Sequence, residues 1–287
     1  MSTDPSTDPS TGPSAAPGAD PRAAVPGRAG ALLAELGDRA ELHDLYDEAG
    51  APVYHAIAGS SPLEVRELVA ALRSTSGAVL ELAAGSGRLT MPLLTLGREL
   101  TALELAPGMI RILEERLRAV PAARRDRCTV VPGDMSSFEL GREFGAIVLG
   151  ATSVSLLDAT GRAGLYRCVR RHLAPGGKFL LTAVDVTDFG SATTEQVMDV
   201  DCADGTRFRM YEHWTEGADA RTVTVFPHPL DMAELPITVC TTRIGVFPVA
   251  QLEAELALAG LVLTQRRSLP ATGSHHHDVL LVAEVAA

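Results

Sequence analysis

"VLELAAGSGRLT", residues 79–90, is the stretch on which the reading of this chain turns. A short apolar run (Val79, Leu80, Leu82) gives way to small residues, then Gly85 and Gly87, and becomes helix-like from Leu89. Many α/β proteins hold a nucleotide with such a strand, glycine turn and helix, because the turn brings backbone close to the ligand. The strict dinucleotide fingerprint is G-x-G-x-x-G. Counted from Gly85, Gly87 fits, but Thr90 stands at the third position; counted from Ala83 the pattern is A-x-G-x-G. Taken alone, the pair also suits an ordinary tight turn. "ELTALELAPGMI" (99–110) adds Glu104 at the carboxyl end of the next strand, 17 residues beyond Gly87. A carboxylate there can accept hydrogen bonds from both hydroxyls of a ribose; the plainer alternative is a solvated strand-end glutamate.

Outward from this turn, strands are predicted at 78–83, 100–105, 129–132, 145–150 and 178–184. Helical segments lie between them at about 89–97, 107–119 and 160–173. The alternation calls for a parallel sheet covered by helices on both faces, with strands apolar on both sides. Residues 186–245 break the rhythm. They carry three candidate strands (206–212, 221–226, 236–244) between polar turns and read as an antiparallel insertion, a lid. A helix from Pro248 to Ala259 and strands at 262–268 and 279–285 follow; ten residues are too few for a helical crossover, so these two strands should pair antiparallel. Upstream, 31–48 shows apolar and charged residues at helical spacing. "SSPLEVRELVAALR" (60–73) predicts a helix with a Ser61/Glu64 capping box. The expected division is therefore a tail at 1–30, a helical cap at 31–75, an α/β core at 76–185 and 246–287, and the lid at 186–245.

Composition sets limits. The 287 residues are 46% apolar, enough for a sizeable core. Lys and Arg number 25 against 36 Asp and Glu, a net charge of −11, which opposes a nucleic-acid partner because such binding neutralises phosphates. Cys128, Cys168, Cys202 and Cys240 lie more than thirty residues apart, so neither a zinc knuckle nor a disulfide framework is indicated. The tail, built of S-T-D-P and S-T-G-P repeats, has no apolar face and is expected to be disordered. It has no basic start and apolar run of a signal peptide, and no stretch nears the roughly 20 apolar residues of a membrane span. A soluble, reduced, cytoplasmic setting is expected, with no membrane partner.

"VLELAAGSGRLT", "ALELAPGMI", "VPGDMSSFEL" and "RRHLAPGGKFLL" occur in the order and spacing of class I S-adenosylmethionine-dependent methyltransferases, which the chain resembles over about 40–285. The resemblance implies a Rossmann-like sheet with an antiparallel last strand and S-adenosyl-L-methionine as cofactor. It places Glu81 and the Ala83–Gly87 turn at the methionine portion and Glu104 at the ribose, with Arg88 and Gly150 also among the cofactor-binding residues. Leu105 would flank the adenine, Asp134 would bind its amino group, and the Met135 amide would face the ring. Ala83 and Ala84 stand where the family usually has Gly and Cys, which implies tighter packing. Tyr46 and Tyr54 in "LYDEAGAPVYHAI" (45–57) are candidates to cap the cofactor or, equally, helix-packing tyrosines.

Methyl transfer from a sulfonium is an in-line displacement driven mainly by positioning, and a base is needed only for a protonated acceptor. "GATS" (150–153) lacks the N-P-P-Y signature of nucleic-acid amine methylases. Thr152 and Ser153 are either acceptor contacts or plain loop hydroxyls. In the lid, "RFRMYEHWTEG" (207–217) alternates Phe208, Met210 and Glu212 on one face with Tyr211 and His213 on the other, and holds the only tryptophan, Trp214. A strand carrying Tyr, His and Trp suits an aromatic acceptor pocket or a half-buried edge. His213 is the candidate base, with Tyr211 beside it and Asp185 next in line. "GSHHHD" (273–278) offers His275, His276 and His277, which as neighbours cannot easily share one metal, so no metal is expected. The general style of 152–181 resembles natural-product tailoring methyltransferases, and more narrowly those that dimethylate the terminal amine of daptide-type ribosomal peptides. The expected acceptor is a small molecule or short peptide, with N-methylation favoured. O-methylation, a cofactor-binding protein without methyl transfer, and a nicotinamide oxidoreductase are the rivals. Oligomeric state stays open.

Overall fold

The computed structural model describes residues 21–59, 61–150, 153–185, 194–270 and 277–286. The chain enters through α1 (Gly27–Leu36), β1 (Ala40–Asp44), α2 (Gly50–Ala58) and α3 (Val65–Leu72). The core follows as β2 (Val79–Leu82), α4 (Thr90–Leu93), β3 (Leu100–Glu104), α5 (Pro107–Arg118), α6 (Ala122–Arg125), β4 (Cys128–Pro132), β5 (Phe144–Leu149), α7 (Ala159–His172) and β6 (Leu173–Asp185). Four strands then run in succession, β7 (Thr194–Asp201), β8 (Arg207–Trp214), β9 (Ala220–Pro227) and β10 (Ile237–Gly245), before α8 (Val249–Leu258), β11 (Leu261–Ser268) and β12 (His277–Val285).

Seven strands make one sheet in the order β11-β12-β6-β5-β2-β3-β4. Strands β2 to β6 are mutually parallel, and β12 alone runs against its two neighbours. Strands β2 and β3 are buried along their whole length, as double coverage demands. One face packs Leu80, Leu82, Ile147 and Phe179 against α7 and α8; the other packs Val79, Ala102, Val148 and Leu280 against α3 and α5. The order reverses between β2 and β5, and at such a switch point the carboxyl ends of open sheets form a crevice. The expected Rossmann-like fold class is what the structure has.

The second sheet runs β1-β10-β9-β8-β7. Four of its strands, β7 to β10, are antiparallel and fall within the expected insertion, with β7 added to the three predicted. Its fifth member corrects a reading: residues 40–44, expected to be helical within 31–48, form β1, parallel to β10. A partner strand distant in sequence overrides local helical periodicity.

Two further expectations are corrected. The tail was expected to be disordered to residue 30, yet Val25 and Ala29 are buried with Leu33, Leu36, Tyr211 and Phe226, so α1 covers one face of the second sheet. Arg22 donates to the carbonyls of Gly37 and Ala40, tying this start down. Residues 1–20 of the expected tail lie outside the described residues. The Ser61/Glu64 capping box does not form either. Helix α3 starts at Val65, Glu64 sits in the left-handed region (φ 56°), and its buried carboxylate pairs with Arg88. No helix among the described residues is long and apolar enough to cross a membrane.

Candidate active site

At the switch point the chain leaves β2 through a turn with left-handed positions at every second residue, Ala83 (φ 49°), Gly85 (φ 56°) and Gly87 (φ 86°). Glycine reaches this region without strain, whereas alanine does so at a cost of about 1–2 kcal/mol. Ala83 and Glu64 are the non-glycine residues in that conformation among the described residues, and both lie at this site. A Cβ on Gly87 would run into Leu113 of α5, so that glycine is needed for helix–turn packing; one on Gly85 would meet only Tyr54, at 3.7 Å.

The turn borders a cavity whose wall includes Tyr54, Glu81, Ala83, Ser86, Arg88 and Gly150. Glu81, on β2, is 2% exposed, and burial pushes its carboxyl up to about 8 against the opposing hydrogen bond from Thr90 Oγ1 at 2.7 Å. At the end of β3, Glu104 Oε2 accepts from the Gly85 amide at 2.7 Å, and Oε1 accepts from the Ala106 amide at 2.8 Å. Burial raises the pKa of Glu104, with those two amides pulling it back down. The next loop is held alongside by Gly133 N–H donating to Glu104 O at 2.9 Å. There Asp134 Oδ1 takes the Ser136 amide at 2.7 Å, Met135 is buried, and Leu105 stands exposed beside them.

The N-terminal segment closes the opposite side. Tyr46 and Tyr54 lie ring to ring at 5.3 Å between α2 and the second sheet. Burial raises both phenol pKa values, which keeps the hydroxyls protonated as donors. Residues not singled out from sequence complete the rim. His55 Nδ1 is 2.8 Å from Ser86 Oγ, and Arg116 donates to Ser86 O at 2.8 Å. Arg88, expected at the cofactor, is paired with Glu64 and donates to Leu63 O at 2.9 Å. His55 and Arg116 lie 31 and 30 residues from Ser86, so no local signal in the sequence marks them. Ser153 lines the same cavity, whereas Thr152 lies outside the described residues.

The expected base candidates lie elsewhere. Tyr211 packs edge-on against Phe226 under α1, with the Arg28 guanidinium 6.0 Å from its ring centre. His213 shares that face: a Cβ on Gly27 would collide with His213 and Glu195. Strand alternation turns Phe208, Met210, Glu212 and Trp214 the other way. Phe208 and Met210 accordingly cluster with Tyr46 and Tyr54. Grouping Trp214 with Tyr211 and His213 in one pocket is thus corrected by one residue of register. Glu212, 6% exposed, and Trp214 share the face of Phe208 and Met210. Asp185 is also corrected: Oδ2 is bound by Arg266 at 2.9 Å and Oδ1 accepts from Val249 at the start of α8, at 3.3 Å. It anchors α8 and is not poised as a base. The backbone of His277 pairs with Asp185, at the carboxyl edge of the sheet, while His275 and His276 lie outside the described residues.

A family described as a methyltransferase domain matches residues 79–177. Among solved structures, the glycopeptide N-methyltransferase MtfA complexed with S-adenosyl-L-homocysteine is 37% identical, covering 92% of this chain and 99% of its own, with a TM-score of 0.64. The CcbJ methyltransferase from Streptomyces caelestis is 22% identical over 85% of this chain and 99% of its own, with a TM-score of 0.72. CalS10, an amino pentose methyltransferase from Micromonospora echinaspora, is 18% identical over 84% of this chain and 99% of its own, with a TM-score of 0.63. No curated protein matches. The chain belongs to the class I S-adenosylmethionine-dependent methyltransferases. It is an enzyme of that class, and S-adenosylmethionine is its cofactor.

Proposed function

We propose that the protein N-methylates an amine on a small molecule or short peptide in natural-product biosynthesis. The observation that carries this reading is the 37% identity to a glycopeptide N-methyltransferase along nearly the whole of both chains. The residues around the cavity support the cofactor's place there: Arg88 and Tyr54 line it, a left-handed turn brings backbone to its wall, and the buried carboxylate of Glu104 ends the neighbouring β3.

In this reading Glu104 holds the ribose hydroxyls, while Leu105, Asp134 and the Met135 amide take the adenine. The Ala83–Gly87 turn, Glu81, Arg88, Tyr46, Tyr54 and Gly150 surround the methionine portion. When bound, the cofactor supplies an electrophilic methyl group on a sulfonium with a good leaving thioether. The chain's task is then to orient the acceptor, exclude water and take up a proton. Glu212, on the face of β8 opposite His213, takes the role expected of that histidine: its carboxylate orients the acceptor ammonium and receives its proton. Within this class the terminal amine of a daptide-type peptide is the narrower acceptor.

Mass spectrometry of amines, phenols and peptides incubated with enzyme and cofactor tests the reading. Methyl increments confined to amines are expected, and acetylation of a peptide's N-terminus should remove them. Methylation of oxygen alone would overturn N-methylation, and no product from any acceptor would leave a cofactor-binding protein.

A further inference from the structure

Helix α2 meets the glycine turn through two successive residues. Tyr54 stands over Gly85, where an added Cβ would touch its ring at 3.7 Å. The next residue, His55, places Nδ1 2.8 Å from the Oγ of Ser86. Ser86 is 1% exposed and sits between the left-handed Gly85 and Gly87, in the wall of the cofactor cavity. Its carbonyl accepts from Arg116 of α5 at 2.8 Å. A turn built on two glycines has little conformational preference of its own, so these two bonds from outside set its shape.

The pairing is chemically specific. A buried hydroxyl needs a hydrogen-bond partner, and stranding it costs more than the bond itself contributes. Burial and, after it, the charge of Arg116 lower the pKa of His55, against the pull of Asp204 in the turn between β7 and β8. The ring is therefore neutral at neutral pH, and its Nδ1 can accept from the Ser86 hydroxyl or donate to it, since that hydroxyl rotates to suit. Gly59 leaves the ring its space: a Cβ there would collide with Nδ1 and Cε1 of His55. Elsewhere on α2, Ala51 packs against Gly108 of α5, and Val53 and Ile57 join the apolar cluster of the second sheet. The helix thus ties both neighbours to the cofactor turn, and His55 is the polar end of that tie.

We propose that His55 is a positioning residue for the methyl donor: its bond to Ser86 holds the glycine turn and the α2 cap together over the bound cofactor, and breaks when the spent cofactor leaves. The inference rests on the placement of the cofactor at this turn and is independent of the acceptor.

Dissociation of S-adenosylhomocysteine from the full chain, measured by surface plasmon resonance, tests this. His55→Ala should release it about two- to tenfold faster, by the worth of one hydrogen bond. His55→Asn, whose amide falls where Nδ1 lies, should restore most of the parent rate. His55→Gln, whose amide reaches the place of Nε2, should restore little. Ser86→Ala should also speed release, and the double variant should be no faster than the faster single one. A parental rate in His55→Ala, additive effects of the two alanines, or equal rates in the Asn and Gln variants would each overturn the proposal. A histidine that only packs would lower melting temperature without that order or coupling. The Asn–Gln comparison does not depend on His55→Ala folding. Glu104→Gln is measured alongside. If it releases the ligand at the parent rate, the placement of the cofactor fails and the proposal with it. If it is faster while His55→Ala is parental, the role of His55 alone fails.

Discussion

Replacing Glu104 isolates the ribose from the rest of the cofactor. The carboxylate is 8% exposed and fixed before any ligand arrives, by the Gly85 amide at 2.7 Å and the Ala106 amide at 2.8 Å. Hydrogen bonds from sugar hydroxyls to such a group contribute about 1.5–3 kcal/mol. At about 1.4 kcal/mol per factor of ten, the dissociation constant for S-adenosylhomocysteine should rise roughly ten- to 150-fold. Glu104→Ala would also leave two backbone amides without their acceptor, costing a further 1–3 kcal/mol or so of stability. Glu104→Gln, which keeps one oxygen and loses the charge, is therefore the cleaner variant, with an effect toward the lower end. Calorimetric titration of the parent and Glu104→Gln with S-adenosylhomocysteine and with its 2′-deoxy analogue closes a double-mutant cycle. Removing the hydroxyl should weaken binding to the parent and matter little to the variant. If Glu104→Gln binds as tightly as the parent, or the cycle shows no coupling, the ribose lies elsewhere.

Ala83→Gly should stabilise the protein by up to about 1 kcal/mol, since relief of left-handed strain exceeds glycine's entropy cost; a lower urea midpoint would mean that the methyl group's packing matters more. His213→Ala should leave turnover unchanged, because the side chain faces α1; a loss of about tenfold or more with intact cofactor affinity would return it to the site as a base. The raised pKa of Glu81, about 8 against an ordinary 4.5, means that the folded state holds its proton more tightly than the unfolded chain. Its stability contribution is therefore full below the unfolded value and lost as pH rises through the folded one. Melting temperature of the cofactor-free protein should fall more steeply between those values than that of Glu81→Gln, and parallel curves would contradict the assignment.

The core was legible because its signals are local. Strand, glycine turn and helix recur within short spans, and the left-handed positions at Gly85 and Gly87 are chemistry that glycine announces. Glu104 follows from being the last residue of a buried strand beside that turn. Burial on both faces also made β2 and β3 readable as apolar runs.

The second sheet was not legible, because there position depends on partners far away in sequence. Residues 40–44 have helical periodicity but pair with Ile237 to Thr241. Residues 25–36, joined to a tail of Ser, Thr and Pro, cover the second sheet only because Tyr211 and Phe226 offer an apolar face. That covering decides which side of β8 looks inward. Period-two alternation in "RFRMYEHW" told correctly that Tyr211 and His213 share a face, but a strand has two faces and the sequence cannot say which is outside. Tertiary packing put Glu212 and Trp214 on the face of Phe208 and Met210, set Arg221 opposite the indole, and left His213 against α1.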